Sequence, residues 1–453
     1  MSEMDGFVIE PKPAAYVGAG AIARLPAVVR AIGAGQAVVV TDGTLAATPV
    51  IAAVMAMLTD AGIPSRLFAG VHPDPTTDDL AAGAVVVAQA AAEATASASA
   101  AAEAATVAAT LKASAPLVAP PQPPASLAAP ALSGPLAPPG ALAAPPSAPS
   151  APRIALVAVG GGPPMDAAKG IAIAAVNPQR GRDLDYRRGF AVPALPIVAV
   201  PTTAGTGSET SAFGVVTDPA AGRRFYIGHA TARPAAAILD PELTAGLPPA
   251  ATAAGGLDAL THALESYLSA RPNPWSDGIA LQATRMIAAS LPRAYADGSD
   301  LAARSQMLLA AHLAGVAMAS TGLGLCHAIG HSIGARWDIA HGVALAALLP
   351  EVLRFNLLVR TERMADVAFA LGVGDTHADA GRNAEAAIGA VIALRDQVGL
   401  NRLIGEFGIN QGDFGQIAAD ALDDEVLASA PRQPTREDIG AILLASAGQQ
   451  RAG

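Results

Sequence analysis

With a single cysteine, Cys326, in 453 residues, the chain cannot form an intrachain disulfide, and a reducing, cytoplasmic setting is expected. Charge is scarce too. Asp, Glu, Lys and Arg make up 15% of residues, and 28 basic against 38 acidic side chains leave a formal charge of -10. A chain so acidic has no global attraction to phosphate backbones, which argues against nucleic-acid binding. Much of the 52% apolar content is alanine, and no run of about 20 strongly apolar residues stands out, so no membrane span is expected. The opening MSEMDGFVIEPKP has no apolar stretch behind positive charge and does not read as a signal peptide. At roughly 100 to 200 residues per domain, the length suggests two or three domains.

What is abundant is unevenly placed. Thirteen of the 37 prolines fall between Pro116 and Pro152, where the missing backbone donors and fixed φ exclude a helix or a central strand. Just upstream, Ala90 to Lys112 is nearly all Ala, Thr and Ser, without bulky side chains to anchor a helix face. Residues 90–151 therefore read as a low-complexity insertion, its alanine-rich half at most a solvated helix.

The flanks match each other. Gln36 to Asp42, Arg153 to Val159 and Leu195 to Val200 are short β-branched or continuously apolar runs, and Ser65 to Phe68 is a further candidate strand. Helical stretches at Leu45 to Ala61 and Met165 to Ala175 alternate with them, the pattern of a parallel sheet covered on both faces. An α/β domain over residues 1–240, interrupted by the insertion, is expected. From residue 241 to 453 the spacing turns helical, over Leu257 to Leu268, Gly278 to Ala289, Leu301 to Met318, Gly324 to Gly334 and Asn383 to Val398. A second, all-helical domain follows, and the cleft between the two is the default site.

Two turns at strand ends suit a nucleotide. Gly160 to Lys169, GGGPPMDAAK, opens a helix where backbone N–H groups and the helix dipole favour phosphate, although its spacing is not that of the common dinucleotide fingerprint. Pro201 to Glu209, PTTAGTGSE, offers hydroxyls and exposed amides with little bulk. Asp42, closing a strand, could hold ribose hydroxyls, though a lone Asp there is more often a cap.

The helical half carries the sharper pattern. Three of the 8 His, His327, His331 and His341, lie within 15 residues, and Asp258 with His262, like His327 with His331, is spaced four apart on one helix face. A carboxylate with several imidazoles in apolar surroundings suits a divalent first-row metal, Fe(II) or Zn(II), and spacing alone does not say which imidazoles bind it. Cys326 reads as a buried structural thiol, and His72, His229, His312 and His377 show no partner in sequence.

Taken in order, VTDGTL, VHPDPTTDDL, VGGGPPMDAAKG, PTTAGTGSE, DPELTAGLP, GLDALTHALESY, GLGLCHAIGHSIGARWDIAHG and LPEVLRFN resemble the iron-dependent (group III) alcohol dehydrogenases, over nearly all the chain except 90–151. The resemblance implies an α/β N-terminal dinucleotide-binding domain with a parallel sheet, plus an all-α C-terminal metal-binding domain. It also implies NAD-linked interconversion of a small-molecule alcohol with an aldehyde or ketone, in a homodimer or higher homo-oligomer. By position it places the metal, Fe(II) or in its stead Zn(II), on Asp258, His262, His327 and His341. His331 becomes a catalytic residue beside the nicotinamide. Asp42 favours NAD over NADP, Gly161 and Gly162 the pyrophosphate, and Thr202, Thr203, Thr206 and Arg224 the cofactor's surroundings.

Four departures stand out: Pro163 for a Ser, Arg224 for a Lys, Gly255 for a Thr, and the insertion. The same scaffold leaves open a non-redox hydrolase or lyase, a diol or hydroxy-acid dehydrogenase, or a maleylacetate-reductase-like enzyme. A binding protein that recruits partners through the insertion is a further alternative.

Overall fold

The computed structural model describes residues 13–113, 153–178, 183–337 and 339–448, so the proline-rich window from Pro116 to Pro152 lies outside the described residues. In chain order the first half runs β1 (Ala14–Val17), α1 (Leu25–Ala31), β2 (Ala34–Asp42), α2 (Gly43–Ala46), α3 (Pro49–Asp60), β3 (Ser65–Val71) and α4 (Thr77–Ala113). It continues as β4 (Arg153–Gly160), α5 (Gly162–Ala174), β5 (Ile197–Pro201), β6 (Phe213–Asp218), β7 (Arg223–Gly228) and β8 (Ala236–Leu239). Six strands form one parallel sheet in the order β1-β8-β5-β4-β2-β3, and β6 with β7 makes a separate antiparallel hairpin.

Alternate residues of each central strand serve different cores. Val38 and Val40 of β2 pack with Leu156 and Ala158 under α4 and α5, whereas Val39 packs with Val157 and Val159 under α1 and α3. Burial on both faces is why these strands read as unbroken apolar runs. The expected helix from Leu45 to Ala61 is two helices, because Pro49 forces its predecessor out of the helical region: Thr48 is extended, at φ -92 and ψ 159.

The alanine-rich stretch belongs to α4, which starts well before it. Ala90 is fully buried, its carbonyl accepts from Gln36 Nε2 at 3.0 Å, and Glu93 pairs with Arg66. The packed part of this helix therefore runs past residue 90.

From residue 249 onward the described residues form helices: α6 (Pro249–Leu268), α7 (Pro274–Ala296), α8 (Leu301–Thr321), α9 (Leu325–Arg336), α10 (His341–Ala370), α11 (Ala380–Gln397), α12 (Gln411–Asp423) and α13 (Arg436–Ser446). They share one apolar core, from Leu257 on α6 to Leu443 on α13. Contrary to the reading of the sequence, α8 and α10 are long and apolar enough by length and composition to cross a membrane. More than half of each apolar window, 56% and 61%, is buried inside the protein, the usual state of a core helix.

Topology places the crevice. Chain order runs outward from β2 to β3 on one side and from β4 to β5 on the other, so the sheet changes direction between β2 and β4. A ligand site is expected beyond the carboxyl ends of strands at such a point. Asp42 ends β2 there, and Gly160 ends β4.

Candidate metal centre and nucleotide crevice

Asp258 and His262 sit one turn apart on α6, His327 and His331 one turn apart on α9, and His341 is the first residue of α10. Close backbone contacts bring these helices together. A Cβ on Gly342 would lie 2.0 Å from the Ala254 carbonyl oxygen of α6, so glycine beside His341 is what lets α10 start against α6. One ligand atom each from Asp258, His327 and His341 lies within 4.8 Å of the others. His262 joins them: Asp258 Oδ1 is 3.4 Å from His262 Nε2, 3.6 Å from His327 Nε2 and 3.9 Å from His341 Nε2.

None of these separations is a good hydrogen bond. Asp258 Oδ1 and His327 Nε2 are buried without a hydrogen-bond partner, a state costing about 1–3 kcal/mol per group. A cation among them would remove that cost, so the residues present fit a divalent metal. Electrostatics agrees. Burial opposes ionisation of Asp258, but His262, His327 and His341 outweigh it and hold the carboxyl well below its usual range. Desolvation likewise opposes charge on His327, yet Glu265 and Asp258 prevail and lift its pKa to about 9. Desolvation pushes His341 the other way, to about 3.

Glu265, which the sequence reading passed over, organises this set. Its Oε2 lies 2.6 Å from His327 Nδ1, and its two oxygens accept the backbone N–H of Gly324 at 2.9 Å and Cys326 at 2.7 Å, capping the start of α9. With Nδ1 held by a carboxylate, Nε2 of His327 is the atom turned to a metal. The signal was present: Glu265 lies seven residues after Asp258 and three after His262, on the same helix face. Cys326 is buried and its thiol is pushed well up, first by desolvation, as a structural cysteine would be.

His331 stands beside the ligands: its ring stacks on His341 at 5.5 Å between centroids and lies 5.9 Å from His327. Its Nδ1 meets Asp424 Oδ2 at 2.7 Å and Tyr226 Oη at 3.3 Å, two residues that no motif pointed to. His312, given no partner in sequence, meets Glu209 of PTTAGTGSE at 3.2 Å in the interior, and His72 meets Asp79 at 2.8 Å.

The crevice is built mainly from backbone. A Cβ on Gly161 would lie 3.3 Å from Thr203 Cγ2, and one on Gly162 3.1 Å from Thr206 Cγ2, so these four residues line a common surface. The Thr202 N–H donates to Gly160 O at 2.9 Å, tying the loop to the end of β4. Helix α5 starts at Gly162, and Pro163 and Pro164 have no N–H, so Gly162 alone of the first three helical residues has a backbone donor there. Asp42 caps α2, its Oδ1 accepting from Leu45 N at 2.8 Å. Arg224 does not stand free: its guanidinium meets Asp74 Oδ1 at 3.0 Å. Loop and metal centre are adjoining, since a Cβ on Gly205 would meet Gly255 Cα at 2.8 Å, three residues before Asp258. The departure at Gly255 thus keeps α6 close to the loop from Pro201 to Glu209.

Comparison with known proteins accords with this arrangement. The family model described as iron-containing alcohol dehydrogenase matches residues 12–98 and 150–241, leaving out 99–149, and the C-terminal model of the Fe-containing alcohol dehydrogenase family matches 252–447. The NAD-dependent methanol dehydrogenase of Bacillus methanolicus is 31% identical over 431 residues, covering 95% of this chain and 97% of that protein. The probable alcohol dehydrogenase EutG of Escherichia coli (strain K12) is 42% identical over 291 residues, 64% of this chain and 72% of that one. A crystal structure of 1,3-propanediol oxidoreductase superposes with a TM-score of 0.79 at 32% identity, covering 98% of this chain and 100% of its own. The chain belongs to the iron-containing alcohol dehydrogenase family.

Proposed function

We propose that this chain interconverts a small primary alcohol or diol and its aldehyde by hydride exchange with NAD, at a divalent iron held by Asp258, His262, His327 and His341. The observation that carries the reading is the convergence of those four side chains on one point, with Asp258 Oδ1 and His327 Nε2 buried and unpartnered. The relatives named for methanol and 1,3-propanediol support the substrate class.

The bound metal supplies Lewis acidity toward the substrate oxygen, and the nicotinamide supplies the hydride chemistry. The chain's own residues do the rest. Gly161, Gly162, Thr202, Thr203 and Thr206 seat the cofactor at the sheet's switch point, and the contact of Gly205 with Gly255 fixes that seat beside the metal ligands. Asp42, at the end of β2, is placed for the ribose hydroxyls and would repel a 2′-phosphate. His331 holds or passes the proton that leaves the alcohol, and Glu265 keeps His327 oriented. We further propose that residues up to about 240 form the cofactor domain, the helical remainder the metal domain, and the Ala/Pro-rich stretch an insertion beyond the packed part of α4.

The test is a panel of short alcohols, diols and hydroxy acids with NAD or NADP, on protein loaded anaerobically with Fe(II) or Zn(II). Metal-dependent NADH formation is expected. Metal-loaded protein that reduces neither nucleotide with any of these substrates would overturn the reading, and a preference for NADP would remove the role given to Asp42.

A further inference from the structure

We propose that Asp424 is a positioning residue for this reaction: its carboxylate fixes the tautomer and orientation of the His331 ring, leaving Nε2 as the nitrogen that handles the proton. The inference rests on the role given to His331 above.

Three elements distant in sequence meet at this point. His331 lies on α9, Asp424 directly follows α12, and Tyr226 lies on β7, so the hairpin of the sheet half reaches into the helical half here. Asp424 Oδ2 is 2.7 Å from His331 Nδ1, and Oδ1 is 3.2 Å from Tyr226 Oη and 3.1 Å from the Val426 N–H. Burial opposes charge on Asp424, but the bond to His331, followed by those to Val426 and Tyr226, holds the carboxyl below its usual range.

A carboxylate only accepts, so each of these neighbours must donate to it. The Tyr226 hydroxyl donates to Oδ1, and His331 must carry its hydrogen on Nδ1. The opposite tautomer would set the Nδ1 lone pair against a carboxylate oxygen at 2.7 Å, with the 3.3 Å contact to Tyr226 as its only compensation. The charged, shorter bond wins. A neutral imidazole protonated at Nδ1 has its lone pair on Nε2. The side chain of Asp424 is 11% exposed and that of His331 24%, so water does not readily substitute for the bond.

The experiment compares Asp424→Asn, His331→Ala and the double variant. Asp424→Asn keeps the shape but removes the charge, and with its amide oxygen accepting from the Val426 N–H it sets an NH2 donor against His331 Nδ1. It is expected to lower kcat about 10- to 100-fold, with metal content and NADH affinity within twofold of the parent chain. The double variant is expected to be no slower than His331→Ala, because the two residues act as one unit. A second readout does not depend on turnover. In zinc-loaded, 15N-histidine-labelled protein, the resonances absent from His331→Ala should show a hydrogen on Nδ1, and Asp424→Asn should disturb that pattern.

A neutral His331 ring in the parent chain with its hydrogen on Nε2 and a bare Nδ1 would overturn the proposal. So would an Asp424→Asn protein that loses its metal, or losses that multiply in the double variant. An impaired His331→Ala beside a fully active Asp424→Asn defeats this inference alone, whereas a fully active His331→Ala defeats the underlying role of His331.

Discussion

In the helical half, three imidazoles meet around Asp258 Oδ1, and the carboxylate of Glu265 orients one of them. In the sheet half, the crevice is made where side chains are missing: Gly161 and Gly162 lie against Thr203 and Thr206, and two prolines remove donors from the start of α5. The first arrangement is mostly buried, with only the His341 ring partly exposed, and electrostatically committed. The second is open, and much of its binding capacity is backbone. A side-chain site is expected to fail when one ligand is lost, whereas a backbone site is expected to lose affinity by degrees.

The sharpest way to break this contrast is His327→Ala. It is expected to lower metal content and turnover together, by at least about 100-fold in turnover, measured by elemental analysis beside initial rates. A metal-free variant with full activity would end the assignment.

Next in size is Glu265→Gln, expected to weaken metal binding about 10- to 100-fold in a chelator competition. The same contact sets a pH dependence. His327 is raised to about 9 in the metal-free protein, so below that pH a proton must leave before a metal binds. Affinity should therefore fall about tenfold for each pH unit below 9. Removing the Glu265 charge lowers the His327 pKa and should flatten that slope near neutrality; an unchanged slope would show that Glu265 does not hold the proton there.

On the crevice side, Gly162→Ala pushes a methyl to 3.1 Å from Thr206 Cγ2. The KM for NAD should rise about tenfold, near 1.4 kcal/mol, with metal content unchanged; a metal loss would show the two sites to be one mechanical unit. The smallest effect is expected from Arg224→Ala. Its side chain is 38% exposed and paired with Asp74, so the KM for NAD should change by no more than about fivefold. No change at all would remove Arg224 from the cofactor's surroundings.

How far these features could be read in advance follows from their periodicity. Strands β2, β4 and β5 were legible because burial on both faces demands unbroken apolar runs, and β2 ends at Asp42 as expected. β1, β8 and the β6–β7 hairpin were not, being short or partly exposed. The Asp258, His262, His327 and His331 cluster was legible in part, because these residues form two pairs one helix turn apart. Asp424 and Tyr226 were not, since nothing local distinguishes one Asp in ALDDEV or one Tyr in RRFYIG from solvent-facing residues. Their roles exist only across 93 and 105 positions of separation from His331.

The amino-acid sequence by itself determined the alternating strands and helices, the helical second half and the residue kinds gathered at the candidate metal centre. These depend on apolar periodicity and on residue kinds at helical spacing, which are local properties. Tertiary structure decided which imidazole is oriented by Glu265, which is held by Asp424, and how close the cofactor loop comes to the ligands. Hydrogen bonds and backbone approaches of about 3 Å between distant segments set those relations, and such distances exist only once the helices have packed.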